Sequence, residues 1–79
     1  MISYNPLWQT MQEKNVTQYT LNTKYKMSKA LLQRLRRNES VTLYTIQRLC
    51  NILKCDISDI VMITPDDETE LTTDIEKEL

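Results

Sequence analysis

The chain has 79 residues, 41% hydrophobic and 27% charged, with a formal net charge of -1. That length holds one domain and a marginal core, which favours a helical bundle or a domain stabilised by pairing. Glycine and histidine are both absent, which excludes a glycine-rich phosphate loop and removes the commonest general base and zinc partner.

No catalytic residue, metal site or cofactor is expected. Cys50 and Cys55 stand five apart without a CxxC motif, a spacing that matches neither a structural-zinc nor a redox motif, so each is expected as a buried or half-buried thiol. Paired carboxylates occur only near the C-terminus, where nothing suggests a pocket. No run approaches the ~20 apolar residues of a membrane span and no signal-peptide pattern opens the chain; the expectation is a cytoplasmic protein without a membrane partner.

The net charge hides an asymmetry. Residues 1–64 hold nine Lys/Arg against four acids (Glu13, Glu39, Asp56, Asp59), which is +5; residues 65–79 hold seven acids against Lys77, which is -6. The expected division is therefore a folded basic domain over 1–64 and an acidic, flexible tail over 65–79. A basic body points to nucleic acid, and the tail is either simply solvated or screens the basic face.

Five short helices follow in chain order. Asn5 and Pro6 suit the cap and first position of a helix that turns Leu7, Trp8 and Met11 inward through about Lys14, with Trp8 in the core. Thr17 caps a second helix, Gln18 to about Lys24, with Leu21 inward. After a connection at 24–27, Ser28 caps a third helix from Lys29 to about Arg36, which buries Leu32 and Leu35 and turns Lys29, Ala30, Gln33, Arg34 and Arg37 outward. Thr42 caps a fourth, whose inward row is Leu43, Ile46, Leu49, Cys50 and Leu53; Asp56 and Asp59 form a capping box for a short last helix holding Ile57, Ile60 and Val61. No strand shows convincing alternation, although residues 61–64 can extend against a partner.

The informative segment is Thr17 to Leu35, a helix, a tight connection and a helix that is basic and polar on one side. Major-groove reading asks for this arrangement: one helix crosses the backbone while the next presents long donors to base edges. Lys and Arg suit guanine acceptors, Gln suits adenine, and the small Ala30 permits close approach. The competing reading is an ordinary solvated helix face. Ser28, Thr42 and Gln18 at helix starts, and Arg36, Arg37 and Asn38 after the reading helix, are placed to grip phosphates. Tyr19, Tyr25 and Tyr44 serve either as packing residues or as phosphate donors.

The stretch from Tyr4-Asn5-Pro6-Leu7-Trp8 to Cys55-Asp56-Ile57-Ser58-Asp59-Ile60 resembles the Cro/CI-type (XRE family) helix-turn-helix transcriptional regulators. The resemblance is carried by Val16-Thr17-Gln18-x-x-Leu21, Met27-Ser28-x-x-x-Leu32-x-x-Leu35, Asn38-Glu39-Ser40-Val41-Thr42-Leu43 and Ile46-x-x-Leu49-Cys50-x-x-Leu53. It implies an all-α, compact five-helix lambda-repressor-like domain that binds a double-stranded operator, usually as a homodimer. It places base reading on Lys29 and Ala30 and on Gln33 or Arg34, and phosphate contacts on Gln18, Ser28, Arg37, Asn38 and Thr42. Two positions depart from the family. Lys26 stands where the turn usually has glycine, so either the turn is reshaped or Lys26 accepts a positive φ and adds a charge near the phosphates. Leu31 is either an exposed apolar contact or a core residue.

The resulting expectation is a sequence-specific DNA-binding regulator, most simply a repressor. The alternative is a protein-interaction module on the same scaffold, engaging a toxin, nuclease or polymerase through the acidic tail, Leu31 or an exposed apolar face of the final helix. The last helix and Ile60 to Ile63 are the expected dimer surface.

Overall fold

The computed structural model describes residues 1–65. In chain order it contains β1 (Ile2–Ser3), α1 (Asn5–Glu13), α2 (Gln18–Thr23), α3 (Lys29–Arg36), α4 (Leu43–Leu53), a 3-10 turn (Ile57–Asp59) and β2 (Met62–Ile63). The fold is mostly helical, as expected, but the fifth helix is reduced to the 3-10 turn. The acidic residues 66–79 of the expected tail lie outside the described residues. The strands were not expected: β1 and β2 pair antiparallel, Ile2 with Ile63 and Ser3 with Met62. Residues 61–64 thus extend against this chain's own N-terminus, two residues too short to show alternation.

A repeated grammar starts three of the helices and the 3-10 turn. An apolar residue precedes a polar cap, and a second apolar residue follows four positions after it: Val16-Thr17-Leu21, Met27-Ser28-Leu32, Val41-Thr42-Ile46 and Cys55-Asp56-Ile60. The oxygens of Thr17, Ser28 and Thr42 accept from the N–H groups of Thr20, Leu31 and Thr45 at 3.1, 3.1 and 3.2 Å. At the 3-10 turn the N–H of Asp56 donates to Asp59 Oδ2 at 3.2 Å. Each cap satisfies an otherwise orphaned polar group, and the flanking apolar pair sets the angle at which the chain enters the helix. Leu21, Leu32, Ile46 and Ile60 are all buried.

Three helices also end alike. Asn15, Asn38 and Lys54 adopt φ of 56°, 58° and 53°, and the next N–H returns to the carbonyl five residues earlier: Val16 to Met11, Glu39 to Arg34 and Cys55 to Cys50, at 2.9, 2.9 and 3.1 Å. Glycine normally fills this left-handed position. In a chain without glycine it falls to Asn, which tolerates it, and to Lys, which accepts a cost of roughly 1–2 kcal/mol.

α1 corrects one expectation. Its cap is Tyr4, not Asn5, and no side chain caps it. Leu7 N–H donates instead to the Ile60 carbonyl at 3.1 Å, and the Thr10 hydroxyl donates to the Asp59 carbonyl at 2.8 Å. The end of the domain thereby closes the start of its first helix, a partnership that local sequence cannot display.

The core gathers Leu7, Met11, Leu21, Met27, Leu32, Leu35, Ile46, Leu49, Leu53 and Ile60. Its aromatic member is Tyr4, 2% exposed, whereas Trp8 is half-buried and packs on the core's margin. Tyr4 is held at both ends: its N–H donates to Asn38 Oδ1 at 3.0 Å and its hydroxyl to the Glu39 carbonyl at 2.7 Å. Burial pushes the pKa of its phenol up. Leu43, the first residue of α4, leaves the expected inward row altogether and is 77% exposed.

Candidate nucleic-acid interface

The turn between α2 and α3 is where the chain departs from the glycine-containing pattern, and Lys26 takes the strained option, with φ of 59°. Several bonds hold it there. Met27 N–H donates to the Leu21 carbonyl at 3.0 Å, and Asn22 Nδ2 donates to the Met27 carbonyl at 2.8 Å. Arg48, from α4, donates to the Tyr25 carbonyl. Met27 itself is fully buried, so the turn is anchored through its side chain as well as its backbone. Asn22, Met27 and Arg48 are positioning residues that sequence reasoning missed. Only Met27 had a signal, as the apolar residue before the Ser28 cap.

On α3, Leu32 and Leu35 are buried and Leu31 packs half-buried against the core. The opposite side is all solvent-facing: Lys29, Ala30, Gln33, Arg34 and Arg36, continued by Arg37. At 100° per residue, Lys29, Gln33 and Arg36 form one row and Ala30, Arg34 and Arg37 the next. The two rows make a continuous polar strip about as wide as a helix face.

Arg36 donates to Gln18 Oε1, tying the end of α3 to the start of α2. This bond occupies the Gln18 oxygen and leaves its NH2 group to donate. Ser28 and Thr42 accept backbone bonds through their oxygens; the Ser28 hydroxyl proton is left to donate, while Thr42 Oγ1 shares a further hydrogen bond with Thr45 Oγ1 at 3.2 Å. Asn38 spends its Oδ1 on Tyr4 N–H and keeps Nδ2 as a donor. Arg37 lies 4.0 Å from Glu39, an exposed pair of small energetic weight. Tyr19 and Tyr44 are 75% and 69% exposed, so neither is a packing residue, while Tyr25 is half-buried with Lys24 Nζ 5.3 Å from its ring centre.

The electrostatics are one-sided. Residues 17–38 carry six cations (Lys24, Lys26, Lys29, Arg34, Arg36, Arg37) and no acid. Three of the domain's four acids, Glu13, Asp56 and Asp59, border a different cleft between α1 and the end of α4. A capped, amphipathic helix thus projects from a rigid turn with a predominantly positive face, at whose end Arg37 lies beside Glu39. That arrangement suits phosphate binding combined with groove insertion.

Comparison with known proteins agrees. The Cro/C1-type HTH DNA-binding domain profile matches residues 6–66. The chain belongs to the Cro/C1-type HTH DNA-binding domain family. No curated protein sequence matches it. Among solved structures, the crystal structure of the transcriptional regulator VanUg is similar, with a TM-score of 0.75 and 31% identity over 82% of this chain and 87% of that one. In helix-turn-helix domains generally, the second helix of the pair lies in the major groove while the first crosses the backbone. Among the described residues, no helix is long and apolar enough to cross a membrane, and no three or more His, Cys, Asp or Glu are grouped to hold a metal ion.

Proposed function

We propose that this Cro/C1-type domain, residues 1–64, is a cytoplasmic, sequence-specific transcriptional regulator that binds double-stranded operator DNA and acts most simply as a repressor. The observation that carries the reading is the solvent-facing strip of α3 in a segment with six cations and no acid. The likeness to VanUg, a transcriptional regulator by its description, supports it. Lys29, Ala30, Gln33 and Arg34 enter the major groove and read base edges. Gln18, Lys26, Ser28, Arg36, Arg37, Asn38 and Thr42 hold the flanking phosphates, and bound protein blocks polymerase.

The test is fluorescence anisotropy against a pool of duplexes. Arg34→Ala is expected to relax discrimination at one base pair by about 1–3 kcal/mol. Unchanged sequence preference would remove Arg34 from base reading. Failure of the folded protein to bind any duplex at low salt would instead favour the protein-interaction module.

Lys26→Gly separates strain from charge. Relief of the positive φ, less the greater entropy of glycine in the unfolded chain, is expected to raise stability by up to about 1 kcal/mol. DNA affinity should fall in the same variant because a phosphate cation is lost. A melt combined with a DNA titration reads both; equal affinity would show that Lys26 touches no phosphate.

Two copies are proposed to bind as a symmetric dimer, since one domain of this size reads few base pairs. Ile60 is fully buried and serves the monomer core, which narrows the expected surface to its exposed neighbours. Leu43, Ile57 and Ile63, at 77%, 52% and 70% exposure, border one apolar depression with Ile2 and Val41. Ile63→Glu is expected to shift sedimentation from dimer toward monomer, and an unchanged coefficient would place the dimer contact elsewhere.

A further inference from the structure

The end of α4 carries chemistry that DNA binding does not use. At the left-handed turn on Lys54 the chain folds back, and the N–H groups of Lys54 and Cys55 both reach the Cys50 carbonyl, the latter at 3.1 Å. In this type of helix ending the side chains of the first and last residues so joined usually meet in an apolar contact. Here both are cysteines. Both thiols are free and half-buried, and both border the open cleft between α1 and the end of α4. A disulfide needs Cα atoms roughly 4.4–6.8 Å apart, and the Cys55 N–H bond to the Cys50 carbonyl draws the backbones of these same two residues together.

We propose that Cys50 and Cys55 form a reversible dithiol–disulfide site that responds to hydroperoxide-class oxidants. The Cys50 thiolate attacks the peroxide O–O bond, becomes a sulfenic acid and releases water or an alcohol. The Cys55 thiol then attacks the sulfenic sulfur, closing the S–S bond and releasing water. Two thiols are oxidised and one peroxide is reduced. Burial, followed by the neighbouring Cys50 thiol, raises the Cys55 pKa, which suits Cys55 to the second step. Both thiols border the open cleft, which gives a solvent oxidant access to them.

The experiment exposes the reduced full-length chain to hydrogen peroxide and follows it by intact mass and peptide mapping. The expected product is monomeric, lighter by two hydrogens, with both thiols lost, a Cys50–Cys55 cross-linked peptide and full reversal by dithiothreitol. Cys55→Ser should stop at a dimedone-trappable sulfenic acid on Cys50, and Cys50→Ser should lose its thiol more slowly than the parent. Thermal melts confirm that both variants fold. Oxygen addition without hydrogen loss, or only interchain disulfides, would overturn the proposal.

Discussion

Replacing Leu35 with alanine is expected to remove a large part of the domain's stability without changing what the folded fraction binds. Leu35 is fully buried on the inner side of α3, directly behind the strip proposed to enter the groove. Truncating a buried leucine costs about 2–5 kcal/mol, because the lost transfer free energy is joined by the cavity left behind. A domain of this size has a total stability of only about 3–12 kcal/mol. Its helices run from six to eleven residues, too short to persist alone in water, so they are held by packing and not by propensity. Urea denaturation checks the prediction. The midpoint should fall sharply, and the remaining folded fraction should bind DNA with the parent's preference, since no reading residue has changed. A small shift would mean that α3 is held mainly by its caps and by the Arg36–Gln18 bond.

The affinity for a two-half-site operator is expected to collapse with salt. Each protomer is proposed to set Lys26, Arg36 and Arg37 against phosphates, so a dimer displaces counterions from about six. The slope of log affinity against log salt should then be about -5, a loss of ~10³ between about 50 and 200 mM. Arg37→Ala should reduce the magnitude of that slope by nearly two in the dimer, one phosphate for each copy. Its effect should be similar on any sequence, in contrast to Arg34→Ala. A flat salt response would mean that the positive face does not neutralise phosphate, and the interaction-module reading would take precedence.

Much of the site was legible because its determinants are local. The caps at Thr17, Ser28 and Thr42 stand where the hydroxyl pattern places them, since a cap bonds only three residues away. α3 spans Lys29–Arg36 as the periodicity predicts, with Leu32 and Leu35 inward and the basic strip outward. The Asp56–Asp59 pairing was equally visible, although it caps a 3-10 turn and not a full helix.

What stayed hidden depends on partners distant in the chain. The sequence by itself determined where helices begin and which faces they bury, because caps and a 3.6-residue period act over one or two turns. It also carried the charge contrast between the α2–α3 segment and the acids around it. Only the tertiary structure decided that Tyr4, not Trp8, fills the core, since Tyr4 is fixed by Asn38 and Glu39, more than thirty residues away. It decided too that Ile60 closes α1 through its carbonyl, that Ile2–Ser3 pairs with Met62–Ile63, and that Arg48 steadies the turn carrying the strained Lys26. Those bonds form when packing brings distant carbonyls beside unpaired donors, and a buried polar group takes whatever partner the fold supplies.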